Sequence, residues 1–446
     1  MNHPDWPLVG ADCMVPLADG RQRRYINLDN AASTPPLRAV LDAVSDFLPW
    51  YGSVHRGAGH KSVVSTSRYE DARATVARFV GADPREHVVI FGRNTTEAIN
   101  KLSYRLALAR DDIVLISQLE HHSNDLPWRA RARVLRIRAD AQGALDEDHA
   151  AQLLREHAGR VRLLAVTGGS NVTGHLPDIH RLATLAHAAG ARILVDAAQL
   201  APHRPIAMRA ADDPAHIDYL ALSGHKLYAP FGVGALIGRR DTFERGEPEV
   251  RGGGTIRFVS TADVVWAAAP ERDEAGTPNV VGAIALAAAI DALERAGMDT
   301  VAAHEAALTA HALRGLAAVP GLRVFGDGDP QRARQRLGVV PFDVAGMPHE
   351  RVAERLAAEH AIGVRSGCFC AHPYLAHLLQ LDDAERVAVQ RRLARDDHKQ
   401  VPGLVRISFG IGNTLDDVDA VVAALHAIVR DVRAQRTNER RIRRAA

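Results

Sequence analysis

Leu220-Ala221-Leu222-Ser223-Gly224-His225-Lys226 joins an apolar run, Ile217 to Leu222, to a lysine, and a second apolar run, Val233 to Ile237, follows. Lysine is seldom buried without a partner, yet Lys226 stands between two core-strand candidates. In a half-apolar setting an ammonium loses hydration, its pKa falls, and the free amine can attack a carbonyl. That is the chemistry of a Schiff base with pyridoxal phosphate. A lysine closing a strand is also common in plain loops, so Lys226 acquires meaning only from the residues around it.

Such a cofactor makes further demands, and each has a candidate. Its pyridine nitrogen stays protonated beside a carboxylate, and Asp196 stands at a strand end. His121 offers a flat ring for stacking, and Gln199 a donor for the phenolic oxygen. Ser223, His225 and Thr95 or Thr96 are groups that can hold a phosphate. Asn94, with Glu97 three residues on, fits a capping-box variant, and a helix N-terminus is itself an anion seat. Taken singly, these residues read equally well as a turn aspartate, a surface histidine and an ordinary cap.

The elements that must position them follow a regular pattern. Strand candidates fall at 88–91, 113–117, 134–137, 163–167, 193–195 and 219–222, separated mostly by helical patterns at 94–108, 147–157 and 179–189. Alternation of this kind implies an α/β fold with a mostly parallel sheet covered on both faces. Ligands then gather outside the carboxyl ends of the strands, and the polar loops after Ser117, Thr167, Val195 and Leu222 all lie there. A long alanine-rich helix, 280–296, connects to a smaller α+β part with helices at 301–318, 350–359 and 416–430. Its strands are expected near 322–325, 338–344, 362–364 and 404–409. The division expected is a large domain of 29–284 and a small one of 1–28 with 285–446.

Composition narrows the function. The 446 residues carry 47% hydrophobic and 24% charged residues and a formal net charge of +2, which gives no general reason to expect nucleic-acid or membrane binding. The five arginines between Arg436 and Arg444 read as a solvated, frayed end. No apolar run reaches the length of a membrane span. Met1 to Trp6 has no secretory pattern, and three cysteines make no disulfide framework. A cytoplasmic enzyme is expected.

The motifs, taken together, resemble the class V aminotransferase family of fold type I pyridoxal phosphate enzymes, in its cysteine desulfurase and selenocysteine lyase branch. The matching pieces are Leu28 to Thr34, Val54-His55-Arg56-Gly57-Ala58, Asn94-Thr95-Thr96-Glu97, Glu120-His121-His122-Ser123-Asn124 and Ser170 to Gly174. They continue with Val195 to Gln199, Ser223-Gly224-His225-Lys226, Glu274 to Asn279 and Val364-Arg365-Ser366-Gly367 with Cys370-Ala371. The resemblance implies a large domain with a mostly parallel seven-stranded sheet, plus the smaller domain carrying the Cys370 loop. It also implies a homodimer with shared active sites and a sulfur-acceptor protein as partner.

By that resemblance Lys226, Cys370 and His121 form the catalytic set. Lys226 would carry the cofactor, His121 stack on it, Asp196 face the ring nitrogen and Gln199 the phenolic oxygen. Thr95 or Thr96, Ser223 and His225 would hold the phosphate, and Thr277 would reach that of the other subunit. Asn171 and Arg406 would contact an amino acid substrate, with Arg365, Arg56 and His55 lining the pocket. The activity implied is an L-cysteine desulfurase. Selenocysteine lyase, another cysteine C–S lyase, and an epimerase or aminotransferase of the same family are the alternatives.

Cys370 is the discriminating residue, because thiolate is the reactive form of cysteine and a nearby cation favours it. Cys368 and Cys370 lack further cysteine or histidine at recognisable ligand spacing, so no metal site is expected. Two departures from the family pattern stand out. Cys368 occupies a position where many desulfurases have histidine, where it would resolve a persulfide, share it, or simply pack. The interval between Cys370 and Arg406 is also long, with an amphipathic helix expected near Asp383 to Arg395 that would cap the site or replace a sulfur-acceptor docking surface.

Overall fold

The computed structural model describes residues 6–397 and 401–445, those from 435 onward as backbone. The leader reading of Met1 to Asp5 and the insert's residues 398–400 lie outside this range. The central sheet is built from β1 (His87–Gly92), β2 (Ile113–Ser117), β3 (Arg133–Ile137), β4 (Val161–Thr167), β5 (Arg192–Asp196), β6 (Tyr219–Ser223) and β7 (Gly234–Arg239). Its spatial order is β1-β7-β6-β5-β4-β2-β3. Only β7 runs antiparallel, between β1 and β6; the remaining pairs are parallel. This is the mostly parallel seven-stranded sheet expected of the fold.

Runs such as Ile113-Val114-Leu115-Ile116 and Tyr219-Leu220-Ala221-Leu222 are buried along their whole length, because helices cover both faces. One face packs on the helices His60–Phe79, Ile179–Ala188 and Val280–Ala296. The other covers Ala98, Ile99 and Leu102 of the helix Thr95–Arg105, together with Trp128 and Phe243. All but β7 of the seven strands therefore present their carboxyl ends on one side.

A second core gathers Ile26 and Leu28 with residues from the helices Met298–Ala317 and His349–His360 and the C-terminal helix. It covers an antiparallel sheet in the order Leu322–Val324, Val339–Val344, Leu404–Ser408, Arg365–Gly367. Ile26–Asn27 pairs in parallel with Ile362–Gly363, so the strand expected at 362–364 joins the N-terminal segment instead of this sheet. Arg365 lies directly opposite Arg406 in the sheet register, which brings the Cys370 loop to the mouth of the central sheet.

Three expectations need correction. The closing helix, expected to end at 430, runs Leu415–Ala445, so the arginine-rich segment continues it. The helix in the long interval forms at Asp383–Leu393 with a capping box from Asp382, but none of its residues is buried; it has no apolar face in use. Acids in its first turn and arginines in its last complement the helix dipole, and the helix is solvated, not amphipathic. Finally, Glu97 reaches back to the Arg93 N–H at 2.8 Å and not to that of Asn94. The Asn94 half of the cap forms as expected, its side chain accepting from the Glu97 N–H at 3.0 Å.

Candidate active site

A pocket opens at the carboxyl ends of β2, β4, β5 and β6. Its walls include Thr95, Thr96, His121, Asn171, Asp196, Gln199, Ser223, His225, Lys226, Arg365, Cys370 and Arg406. Most of the residues singled out from the sequence thus meet in one place.

The floor is set by the end of β6. Ser223 is its last residue, and Gly224–Lys226 turns tightly away. Gly224 has to be glycine: a Cβ there would meet the Ala229 and Val233 carbonyl oxygens at 3.0 Å. The turn delivers Lys226 into the pocket, where burial, with the Arg406 charge adding to it, lowers its pKa to about 8 against the opposing pull of Asp196 and Cys370. The amine is therefore available near neutral pH.

One end of the pocket is an array of donors. The Thr95 N–H donates to the Ser223 hydroxyl at 2.8 Å, and the two hydroxyls lie 2.7 Å apart. Both sit at the N-terminus of the helix Thr95–Arg105, whose dipole favours an anion. Asp196 marks another side, its Oδ1 accepting the Ala198 N–H at 3.0 Å. Burial raises its pKa, partly offset by that N–H and by Lys226. Burial and the Lys226 charge push His121 down to about 3 and His225 to about 4, so both rings are neutral. The Gln199 amide donates to the Ala31 carbonyl at 2.7 Å.

The remaining wall is built around a guanidinium. Arg406 donates to the Asn171 carbonyl at 2.9 Å and to Asp29 at 2.7 Å, and its head lies 4.9 Å from the Phe369 ring centre. Its Nε is buried without a hydrogen-bond partner. A buried donor left unpaired costs roughly 1–3 kcal/mol, and an anionic ligand would relieve it. Cys370 is exposed on this wall.

His55, Arg56 and Thr277 are not in this pocket. They line a second cavity with Ser53, Gly253 and Glu271, where His55 pairs with Glu70 at 2.9 Å. The loops that carry them are drawn there by Glu274, which accepts from Arg73 at 2.8 Å and from Tyr69 at 2.8 Å.

Residues 26–421 match the aminotransferase class-V family. The chain belongs to that family. Among class-V relatives, cysteine desulfurase of Dickeya dadantii is 38% identical, the match covering 96% of this chain and 99% of the relative. Cysteine desulfurase of Haloferax volcanii is 33% identical over 95% of each chain. The apo structure of cysteine desulfurase from Thermococcus onnurineus superposes with a TM-score of 0.80 at 32% identity, covering 91% of this chain and 95% of that one.

Within this class-V site some supporting residues appear in the sequence only as parts of motifs, with no role assigned. Glu120, next to His121 in the chain, is buried. It accepts from Ser117, from the Asn124 amide at 2.7 Å and from the Thr167 N–H at 2.9 Å, tying the loop after β2 to the end of β4. Burial nonetheless dominates and pushes its pKa up to about 8. Phe369 and Asp29, which flank Arg406, were likewise given no role there.

Proposed function

We propose that this class-V family member is an L-cysteine desulfurase that uses pyridoxal 5'-phosphate. The observation that carries the reading is that the Lys226 amine and the Cys370 thiol line one pocket walled by Arg406. The donor set fits the cofactor: Thr95, Thr96, Ser223 and His225 would hold its phosphate, Asp196 its ring nitrogen, Gln199 its phenolic oxygen, and neutral His121 its face. When bound, the cofactor supplies an electron sink for the bond broken at the substrate Cα.

The chain's own residues do the rest. Arg406, with its unpaired Nε, takes the substrate carboxylate, and Asn171 and Arg365 orient it. The Lys226 Nζ removes the Cα proton. The Cys370 Sγ, as thiolate, attacks the substrate sulfur; the Cβ–S bond breaks and an S–S bond forms, leaving a Cys370 persulfide. The three-carbon fragment takes up protons and leaves as alanine.

The separate cavity around Thr277, His55 and Arg56 supports a homodimer in which these residues complete the site of the other subunit. A sulfur-acceptor protein then collects the persulfide sulfur. Among the described residues no helix is long and apolar enough to cross a membrane, and a thiol that must stay reduced suits the cytoplasm.

The test is a single turnover with one equivalent of L-cysteine and no added thiol, sampled over time, each sample quenched in acid and then alkylated. Alanine matching the sites, with sulfur found on the Cys370 peptide in the earliest samples and both lost in Cys370→Ala, supports the reading. Pyruvate instead of alanine, or turnover undiminished in Cys370→Ala, removes it in favour of another C–S lyase; selenocysteine consumed in place of cysteine would indicate a lyase.

A further inference from the structure

We propose that Cys368 is a resolving thiol: it attacks the persulfide on Cys370, releases hydrogen sulfide and leaves a Cys368–Cys370 disulfide. The inference rests on the desulfurase reading above and adds a second outcome for the sulfur.

The turn that carries both thiols has an unusual geometry. The Ala371 N–H donates to the Cys368 carbonyl at 3.0 Å, and the two residues between, Phe369 and Cys370, have φ of 54° and 55°. The chain thus reverses within Cys368 to Ala371. Successive Cα atoms are about 3.8 Å apart, and two such steps in a bent chain fall within the roughly 4.4–6.8 Å that a disulfide spans. The two thiols also have different surroundings. Cys370 is exposed and lines the pocket, whereas Cys368 is half-buried against the core. One sulfur meets substrate; the other waits behind it.

The turn also has a reason to move. Two adjacent non-glycine residues in the left-handed region cost about 1–2 kcal/mol each, and three contacts hold them there. Asn171 donates to the Phe369 carbonyl at 2.7 Å, the His122 N–H donates to the Cys370 carbonyl at 2.8 Å, and the Phe369 ring lies under Arg406. Asn171 and Arg406 are the groups assigned above to the substrate. Occupancy of the pocket and the strained turn therefore share the same tethers, and a change in one loosens the other.

The step balances without an outside oxidant. The bond between the Cys370 sulfur and the terminal sulfur breaks, and one between the Cys368 and Cys370 sulfurs forms. The terminal sulfur is reduced to sulfide and takes the Cys368 proton; the two cysteines end at the disulfide level. A thiol reductant resets the pair.

Wild type and Cys368→Ser are each given one equivalent of L-cysteine without reductant, and alanine, free sulfide and the tryptic peptide Ser366–Arg386, which holds both cysteines, are measured. Wild type is expected to release sulfide equal to alanine, with the peptide two hydrogens lighter. Cys368→Ser is expected to yield alanine with little sulfide and a peptide one sulfur heavier, and Cys368→Ala should match it. Persistent persulfide in wild type, or equal sulfide from the variants, overturns the role of Cys368 while leaving the desulfurase reading intact. No alanine from wild type overturns both.

Discussion

The Asn171 carbonyl accepts the Arg406 guanidinium at 2.9 Å, and the same asparagine's amide holds the Phe369 carbonyl at 2.7 Å. One residue therefore couples the arginine proposed to take the substrate carboxylate to the turn that carries Cys370. Arg406→Lys retains the charge but loses the planar fork that reaches Asn171 and Asp29 together. With charge-assisted hydrogen bonds at about 1.5–3 kcal/mol, kcat/KM for cysteine should fall roughly ten- to hundredfold. Steady-state kinetics with cysteine and with cysteamine, which lacks the carboxylate, check this: the variant should lose discrimination between them.

Cofactor capture should follow the Lys226 amine. Its pKa is lowered to about 8 by burial, with Asp196 pulling the other way. The rate at which the apo-protein gains the visible absorbance of a Schiff base should climb by roughly tenfold per pH unit below 8 and flatten above it. Removing the Asp196 charge takes away a force that raises the pKa, so Asp196→Asn should shift the bend to lower pH. Lys226→Ala should show no such absorbance at any pH.

Glu120 gives a stability prediction with a defined sign. Its carboxyl holds a proton up to about 8 in the folded chain, against an ordinary value of 4.5. Between these values the folded state binds more protons than the unfolded one. Its contribution is complete below 4.5 and is lost as pH rises toward 8. Denaturant titrations across that window should show this slope in wild type and not in Glu120→Gln. Glu120→Ala, which leaves the Asn124 amide N–H and the Thr167 N–H without their acceptor, should cost about 3 kcal/mol below pH 4.5 and less as pH rises toward 8.

The exposed helix Asp383–Leu393 contributes no buried residue. Replacing 383–393 with a short Gly-Ser linker should therefore change stability by less than about 1 kcal/mol. Thermal unfolding checks that, and acceptor-dependent turnover compared with single-turnover alanine would show whether the helix serves a partner.

Much of this was legible in the sequence because strands buried on both faces write themselves as continuous apolar runs, and the loops after them carry the polar residues. Ser223, Lys226, Asp196 and His121 could be placed for that reason. The loops bearing His55, Arg56 and Thr277 could not, because their position depends on the long-range pull of Arg73 and Glu274. The hairpin of Ile256–Val259 and Val264–Trp266 also went unseen, because Phe258, Val259, Val264 and Val265 are exposed and show no core periodicity. Likewise His187 and His216 meet Asp218 with ligand-type atoms within 4.8 Å, a cluster that no sequence spacing announces. The two left-handed residues at Phe369 and Cys370 were invisible too, since neither residue type favours that conformation.

The parallel pairing of Ile26 with Ile362 sets an order on biosynthesis. The ribosome releases all seven strands of the central sheet before the partner of Ile26 exists, and Asp29 must wait longer still for Arg406. A nascent chain halted after β7 and before Ile362 holds the amine of Lys226 but neither Cys370 nor the arginine that would receive a substrate. Reactive sulfur chemistry thus becomes accessible only once synthesis has passed Arg406 and the segment from Ile26 to Asp29 has met its distant partners.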